Sequence, residues 1–113
     1  MAGNSDFPLT GEDYFGGRSF GPHAQMEKLW QQSPCSHFDS VKTPTLVIHS
    51  VGDLRCNVEQ AEQVFFTLKS LKVETRFVRY PASTSHGLSR DGAPDMRIHR
   101  LGQIVDWWKR WLK

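Results

Sequence analysis

Two side chains that could work together as an acid–base pair, Asp53 and His86, lie 33 residues apart in the sequence. Each follows a segment with the pattern of a β-strand, and a helical segment lies between them. Open α/β sheets place their ligand sites at the edge formed by the carboxyl ends of the strands. There the Asp53 carboxylate can accept the Nδ1–H of His86 and leave the other ring nitrogen facing a nucleophile. The spacing therefore predicts a catalytic pair in the chain order Ser, Asp, His, with the serine upstream.

The apolar pattern predicts the elements that position this pair. A nearly continuous apolar run over Thr45–His49 is typical of a strand buried on both faces. Helical spacing predicts a helix over Val58–Ser70, and a mixed run predicts a second, less buried strand over Glu74–Tyr80. A last helix is expected from Asp95 onward, with Trp107 on its flank. Its predicted buried stripe consists of Leu101, Ile104, Val105, Trp108 and Leu112.

The remaining signals concern the start of the chain and the sheet. Residues 1–22 are rich in Gly, Ser, Asp and Pro and are expected to be mostly irregular. A short helix is expected over His23–Gln32, ending at Ser33 because the residue before a proline is pushed out of the α region.

The alternation of helices and strands predicts an α/β fold with parallel strands. Two such strands are too few for a stable sheet, so we expect completion by another chain or copy, or a chain that is part of a larger domain.

Several stretches of the chain resemble one known family. They are Tyr14–Gly17, Trp30–Pro34, Thr43–Cys56, Glu59–Gln63, Ser85–Arg90 and Arg100–Trp107. They resemble the C-terminal part of the α/β-hydrolase domain of prolyl oligopeptidase family serine peptidases, in the acylaminoacyl-peptidase and dipeptidyl-aminopeptidase-like branch. The resemblance covers about residues 12–112. It implies an incomplete α/β-hydrolase fold with two parallel strands, hydrolysis of peptide or acyl-peptide bonds, and Asp53 and His86 as the triad aspartate and histidine. Ser83 and Thr84 stand where the family often has an acidic residue, a departure that concerns substrate details.

The resemblance also implies a nucleophilic serine in a Gly-x-Ser-x-Gly turn upstream of the aspartate. The segment 17–21, centred on Ser19, matches these letters, but no apolar strand precedes it and Pro22 follows. We therefore expect the nucleophile and the oxyanion-hole donors to come from sequence outside these 113 residues, and the isolated chain to be inactive. Two alternatives stay open: a non-catalytic fragment or partner subunit that forms oligomers, and one half of a split peptidase.

Other polar residues have simpler interpretations. Asp53 could instead cap the helix that begins near Val58, and His49 is expected to bond a neighbouring loop. Arg55 and Arg90 fit ion pairs better than binding of a substrate carboxylate. No zinc site is predicted, because the remaining histidines and cysteines lack partners at ligand spacing: His23, His37, His99, Cys35 and Cys56.

The composition limits the class of protein. With 113 residues, a net charge of +2 and two cysteines, the chain fits one small domain. No apolar run is long enough to span a membrane, and the first residues do not have the pattern of a secretory signal. The small net charge does not indicate binding to nucleic acid. Two cysteines are too few for a disulfide scaffold, so a reducing, cytoplasmic location is expected. The expected partners are a peptide substrate in the complete enzyme and either a second copy or the upstream half of the domain, with no cofactor.

Overall fold

The structure, a computed structural model, describes residues 30–112. The irregular segment predicted over residues 1–22, Ser19 and most of the helix predicted over His23–Gln32 lie outside the described residues. Trp30 and Gln31 are helical, and Ser33 has the extended backbone expected before a proline (φ −79°, ψ 131°). A 3-10 helix over Pro34–Ser40, which the apolar pattern did not predict, leads towards the first strand.

Two parallel strands form the sheet of the described part. Strand β1 spans Thr45–Ser50 and strand β2 spans Thr75–Tyr80, with Thr45 opposite Thr75 and Ser50 opposite Tyr80. Helix α1, Val58–Ser70, connects them with the predicted bounds. The pairing continues one step past the strands, where the N–H of Val51 donates to the carbonyl of Tyr80 at 3.0 Å. The loops that carry Asp53 and His86 therefore leave the sheet side by side.

Helix α1 ends in a left-handed turn. Lys72 has φ 60°, the only positive value at a non-glycine residue in the described range. The N–H of Val73 then donates to the carbonyl of Leu68 at 2.9 Å, and both side chains are buried. This hydrogen bond is that of a Schellman C-cap, which turns the chain back to start β2.

The two long helices cover opposite faces of the sheet. After β2 come a single helical turn, α2 (Leu88–Asp91), and the long helix α3 (Pro94–Trp111). On β2, Phe77 contacts Phe65 of α1, with ring centroids 5.6 Å apart. Its neighbour Arg76 stacks on Trp107 of α3 at 5.3 Å. Successive side chains of a strand point to opposite faces, so α1 and α3 enclose the sheet between them.

The predicted buried stripe of α3 is wrong. Trp107 is 5% exposed, whereas Trp108 is 58% exposed. Helix α3 carries apolar residues on more than one face, and the side chains that approach the sheet are those near Trp107, which also stacks against Arg76. Periodicity identifies an apolar stripe but cannot decide which stripe faces a given partner. The members of the predicted stripe that are exposed are Leu101, Val105, Trp108 and Leu112.

Strand β1 is less buried than its sequence predicts. Its first five residues are half-buried and only Ser50 is buried, because β2 is its one neighbouring strand in the described range. A groove of about 680 Å³ lies between β1 and the C-terminal half of α3. Its apolar lining residues are Pro44, Leu46, Ile48, Ile104, Trp107, Trp108, Trp111 and Leu112. Within residues 30–112, no helix combines the length and the apolar character needed to cross a bilayer.

Candidate active site

Asp53 lies in the turn that follows β1, and its carboxylate is held on both oxygens. Its Oδ1 accepts the backbone N–H groups of Arg55 at 3.0 Å and Cys56 at 2.8 Å. Its Oδ2 lies 3.0 Å from Nδ1 of His86. Asp53 is 7% exposed, so these contacts replace most of its hydration. The alternative role of Asp53 as a helix cap is not seen, since Asn57 occupies the N-cap position of α1 and no side-chain hydrogen bond caps the helix.

The surroundings of Asp53 keep it ionised. Burial acts most strongly and by itself raises the pKa of the carboxyl group. The hydrogen bonds from Cys56 N–H, His86 and Arg55 N–H act in the opposite direction and together outweigh burial, so the pKa lies below its ordinary value. Asp53 is therefore a carboxylate at neutral pH and can act as a fixed acceptor for an imidazole N–H.

His49 has the structural role that the sequence predicts. It lies near the end of β1, and its Nε2 is 2.7 Å from the carbonyl oxygen of Cys56. A carbonyl only accepts, so Nε2 carries the hydrogen and donates it. This bond ties the strand to the far end of the loop that contains Asp53, because His49 and Cys56 bracket that loop.

His86 lies in the turn between β2 and α2, opposite Asp53. With Nδ1 facing the Asp53 carboxylate, its Nε2 is on the other side of the ring. The side chain is 50% exposed, so a group outside the two loops can reach it. The structure thus brings together the two residues predicted to form the pair.

Gly52 allows the two loops to approach this closely. A Cβ atom at this position would overlap the backbone carbonyl oxygens of Ala82 and Thr84, which belong to the loop before His86. That loop is itself closed by the buried Thr84, whose N–H and hydroxyl both donate to the carbonyl of Pro81, at 2.9 and 2.6 Å. The missing side chain at Gly52 is therefore a packing requirement of the pair.

A small pocket of about 100 Å³ lies beside the pair. Arg100 of α3 lines it, together with Leu88 and Ser89 of α2. The sequence pattern does not indicate a role for any of these three residues, nor does it predict α2. The signal for α2 is weak, since a single turn gives no periodicity and its sequence, Leu-Ser-Arg-Asp, lies between two glycines.

Other polar residues considered in the sequence analysis make contacts away from the Asp53–His86 pair. Arg90 is 80% exposed and pairs with Asp91 at 3.6 Å, which fits the ion-pair interpretation. His37 contacts the carbonyl oxygen of Gln31, and His99 contacts the hydroxyl of Tyr80 at 2.8 Å. Burial raises the pKa of Tyr80, with the charge of Arg100 acting in the opposite direction.

The side chain of Cys56 lies close to the Asp53–His86 pair, which its position in the sequence alone does not indicate. In the described range, one group of side chains has the arrangement that could hold a metal ion: Asp53, Cys56 and His86, with ligand atoms within 4.8 Å of one another. Both cysteines are thiols, and Cys35 is buried elsewhere. The signal available in the sequence was the spacing Asp-x-x-Cys, which becomes meaningful only once His86 is placed beside it.

Comparisons with known proteins identify the family of the chain. The sequence profile described as "Prolyl oligopeptidase family" matches residues 3–113. The chain is 48% identical over 86 residues to the uncharacterized peptidase YuxL of Bacillus subtilis, covering 76% of this chain and 13% of that protein. It is 31% identical over 119 residues to acylamino-acid-releasing enzyme 1 of Oryza sativa, covering 97% of this chain and 15% of that protein.

A comparison with a solved structure identifies the fold. The acylaminoacyl peptidase of Pyrococcus horikoshii superposes with a TM-score of 0.79 and 29% identity, covering 96% of this chain and 17% of that one. The chain thus spans less than a fifth of the length of each of these relatives, and its two parallel strands and flanking helices form part of an α/β-hydrolase fold. From the profile match and these likenesses, we conclude that the chain belongs to the prolyl oligopeptidase family.

Proposed function

We propose that this chain supplies the aspartate and the histidine of a serine peptidase that hydrolyses peptide or acyl-peptide bonds. The observation that carries the proposal is the 3.0 Å contact between His86 Nδ1 and the buried Asp53 carboxylate. Membership of the family supports it, as do the relatives whose names describe peptidases and acylamino-acid-releasing enzymes.

His86 is the acid–base catalyst in this proposal. Its Nε2 takes the proton of a serine hydroxyl as the oxygen attacks the carbonyl carbon of the substrate, and then passes that proton to the leaving amine. A water molecule then gives a proton to Nε2 as its oxygen attacks the acyl carbon, and His86 returns that proton to the serine oxygen as the acyl–serine bond breaks. The half-exposed ring suits this work, because one edge is fixed by Asp53 while the other is accessible.

Asp53 is the positioning partner of His86. Its lowered pKa keeps it ionised, so it holds the tautomer with hydrogen on Nδ1 and stabilises the imidazolium that forms during the reaction. Two backbone N–H groups occupy Oδ1 and leave Oδ2 for His86. The carboxylate therefore cannot rotate away without losing three hydrogen bonds.

The serine and the oxyanion-hole donors come, in this proposal, from sequence outside these 113 residues. Ser19 lies outside the described residues, and the sequence before it lacks the apolar pattern of a buried strand. A fluorophosphonate probe tests this part. We expect the isolated chain to remain unlabelled, and stoichiometric labelling at Ser19 would contradict the proposal.

The role of the pair is tested in a longer polypeptide that extends upstream to include a strand followed by Gly-x-Ser-x-Gly. There we expect Asp53→Asn to lower kcat by about four orders of magnitude, since the asparagine favours the wrong imidazole tautomer. Asp106→Asn, at an exposed position of α3, is the matched control and should leave kcat unchanged. Equal activity of the two variants would rule out Asp53 as the triad aspartate.

A second candidate function is association through the apolar side of the sheet. The groove beside β1 and the exposed apolar residues of α3 support it, because exposed apolar surface and open strand edges favour pairing with other chains. The partner would be a second copy or the upstream half of the domain. Light scattering of the isolated chain measures self-association, and a monomer at high concentration would count against a homo-oligomer.

A further inference from the structure

Cys56 adds a third metal-ligating side chain to the Asp53–His86 pair. Its Sγ belongs to a group in which the ligand atoms of all three residues lie within 4.8 Å of one another. The sequence separates the group into two loops, with Asp53 and Cys56 after β1 and His86 after β2. A carboxylate, a thiol and an imidazole are three of the ligand types that zinc takes in proteins.

The distance between His86 and Asp53 fits two ligands of a tetrahedral ion with little movement. Bonds of about 2.0 Å from zinc to nitrogen and oxygen place two such ligands about 3.3 Å apart. His86 Nδ1 and Asp53 Oδ2 are 3.0 Å apart. An ion that replaces the hydrogen between these atoms therefore needs only a small separation of the two loops.

The position of Cys56 is fixed by the surrounding backbone. Its N–H donates to Asp53 Oδ1 at 2.8 Å, and its carbonyl accepts from His49 Nε2 at 2.7 Å. These two bonds hold the Cys56 backbone close to the carboxylate, so binding requires little rearrangement of this backbone. The thiol loses its proton when it becomes a ligand.

An approach route from solvent is present on the His86 side. His86 is half-exposed, and Cys56 is partly exposed and lines a cavity of about 330 Å³ between β1 and α1. His49 also lines this cavity, as it does the small pocket beside the pair. The group is therefore accessible without unfolding either loop.

We propose that Asp53, Cys56 and His86 form an inhibitory site for a thiophilic divalent cation such as Zn²⁺. The cation takes the facing atoms of His86 and Asp53, so a bound ion and the Nδ1–H···Oδ2 hydrogen bond exclude each other. The inhibition rests on the proposed function of the pair, whereas the binding itself does not. With three protein ligands, a fourth position stays open to water.

Cobalt provides the direct test, because Co²⁺ adopts zinc geometries and a thiolate ligand gives a charge-transfer absorption in the near ultraviolet. We expect this absorption when Co²⁺ is added to the untagged 113-residue chain, and its loss when Zn²⁺ is added. Cys56→Ser should abolish it, while Cys35→Ser, the matched control at the other thiol, should retain it. Asp53→Asn and His86→Gln should weaken binding by about a hundredfold or more.

A measurement on the unmodified sequence covers the case in which Cys56→Ser does not fold. Zn²⁺ should slow alkylation of Cys56 by iodoacetamide at least tenfold in mass spectrometry, without changing the rate at Cys35. Equal alkylation of Cys56 with and without Zn²⁺, or a cobalt absorption that follows Cys35, overturns the site.

The two proposals fail in different ways. If the metal binds at Cys56 but the longer, active polypeptide is not inhibited by Zn²⁺, the cation site stands and the inhibitory part is wrong. If Asp53→Asn abolishes activity and no metal binds at Cys56, the proposed function stands and the cation site is wrong.

Discussion

Replacing Gly52 by alanine should separate the two loops that carry the pair. The added Cβ would overlap the backbone carbonyl oxygens of Ala82 and Thr84 and lie 3.0 Å from the carbonyl carbon of Ala82. These are backbone atoms and cannot rotate away, so the loops must move apart by roughly 1 Å to restore ordinary contact distances. That movement would stretch the 3.0 Å contact between His86 and Asp53 beyond hydrogen-bonding range. We expect the free energy of unfolding to fall by about 1–3 kcal/mol from overpacking, with about 1 kcal/mol more from the lost bond.

Gly102→Ala is the matched control for this substitution. Gly102 lies inside α3, and no described atom beyond its own helix lies within 4 Å of a Cβ built there. Because alanine favours the helix, this variant should gain about 0.5–1 kcal/mol. Urea denaturation of the 113-residue chain measures both changes, and the imidazole nitrogen signals of His86 report the hydrogen bond. If Gly52→Ala unfolds at the wild-type urea concentration and the His86 signals do not move, the close approach at Gly52 does not position the pair.

Three further predictions concern charge, packing and the end of α1. The lowered pKa of Asp53 means that its contacts stabilise the fold above the unfolded pKa of about 3.9, and that this contribution is lost as the pH falls through the folded value. Urea titrations of wild type and Asp53→Asn should therefore differ at pH 7, and the difference should shrink as the pH falls below about 3.9. Trp107→Ala should lower the free energy of unfolding by about 3–5 kcal/mol, whereas Trp108→Ala, at a 58% exposed site, should lower it by less than about 1 kcal/mol. Equal losses of the two variants in thermal unfolding would contradict the observed orientation of α3. Lys72→Gly should raise the free energy of unfolding by about 1 kcal/mol, because glycine adopts φ 60° without strain, and an unchanged or lower value in urea would refute this account of the turn.

The elements of the fold with strong periodicity could be predicted from the sequence. Helix α1 was predicted over its observed range, and β1 and β2 were each predicted to within one residue. The pairing of Asp53 with His86 followed from the same pattern, because parallel strands joined by one helix bring their following loops to the same edge. The residue types of the pair and the topology of the strands both place Asp53 beside His86.

The remaining features depend on partners distant in sequence. Which face of α3 is buried is decided by the stacking of Trp107 on Arg76, and no periodicity within the helix contains that contact. The requirement for Gly52 depends on carbonyl groups about 30 residues further along the chain. The sequence alone does not place Cys56 in a ligand group, because its thiol acquires ligand geometry only when the second loop brings His86 beside it.

The contacts that hold the pair and the surface open to a partner belong to different parts of the molecule. Asp53 is held by the backbone of its own loop and by His86, and that loop is closed by the bond from His49 to Cys56. The apolar groove instead lies between β1 and the C-terminal half of α3, and neither Asp53 nor His86 lines it. Under the proposed function, a partner that fills the groove therefore does not have to create the hydrogen bond that orients the imidazole. For this reason the geometry of His86 should be measurable in the isolated 113-residue chain.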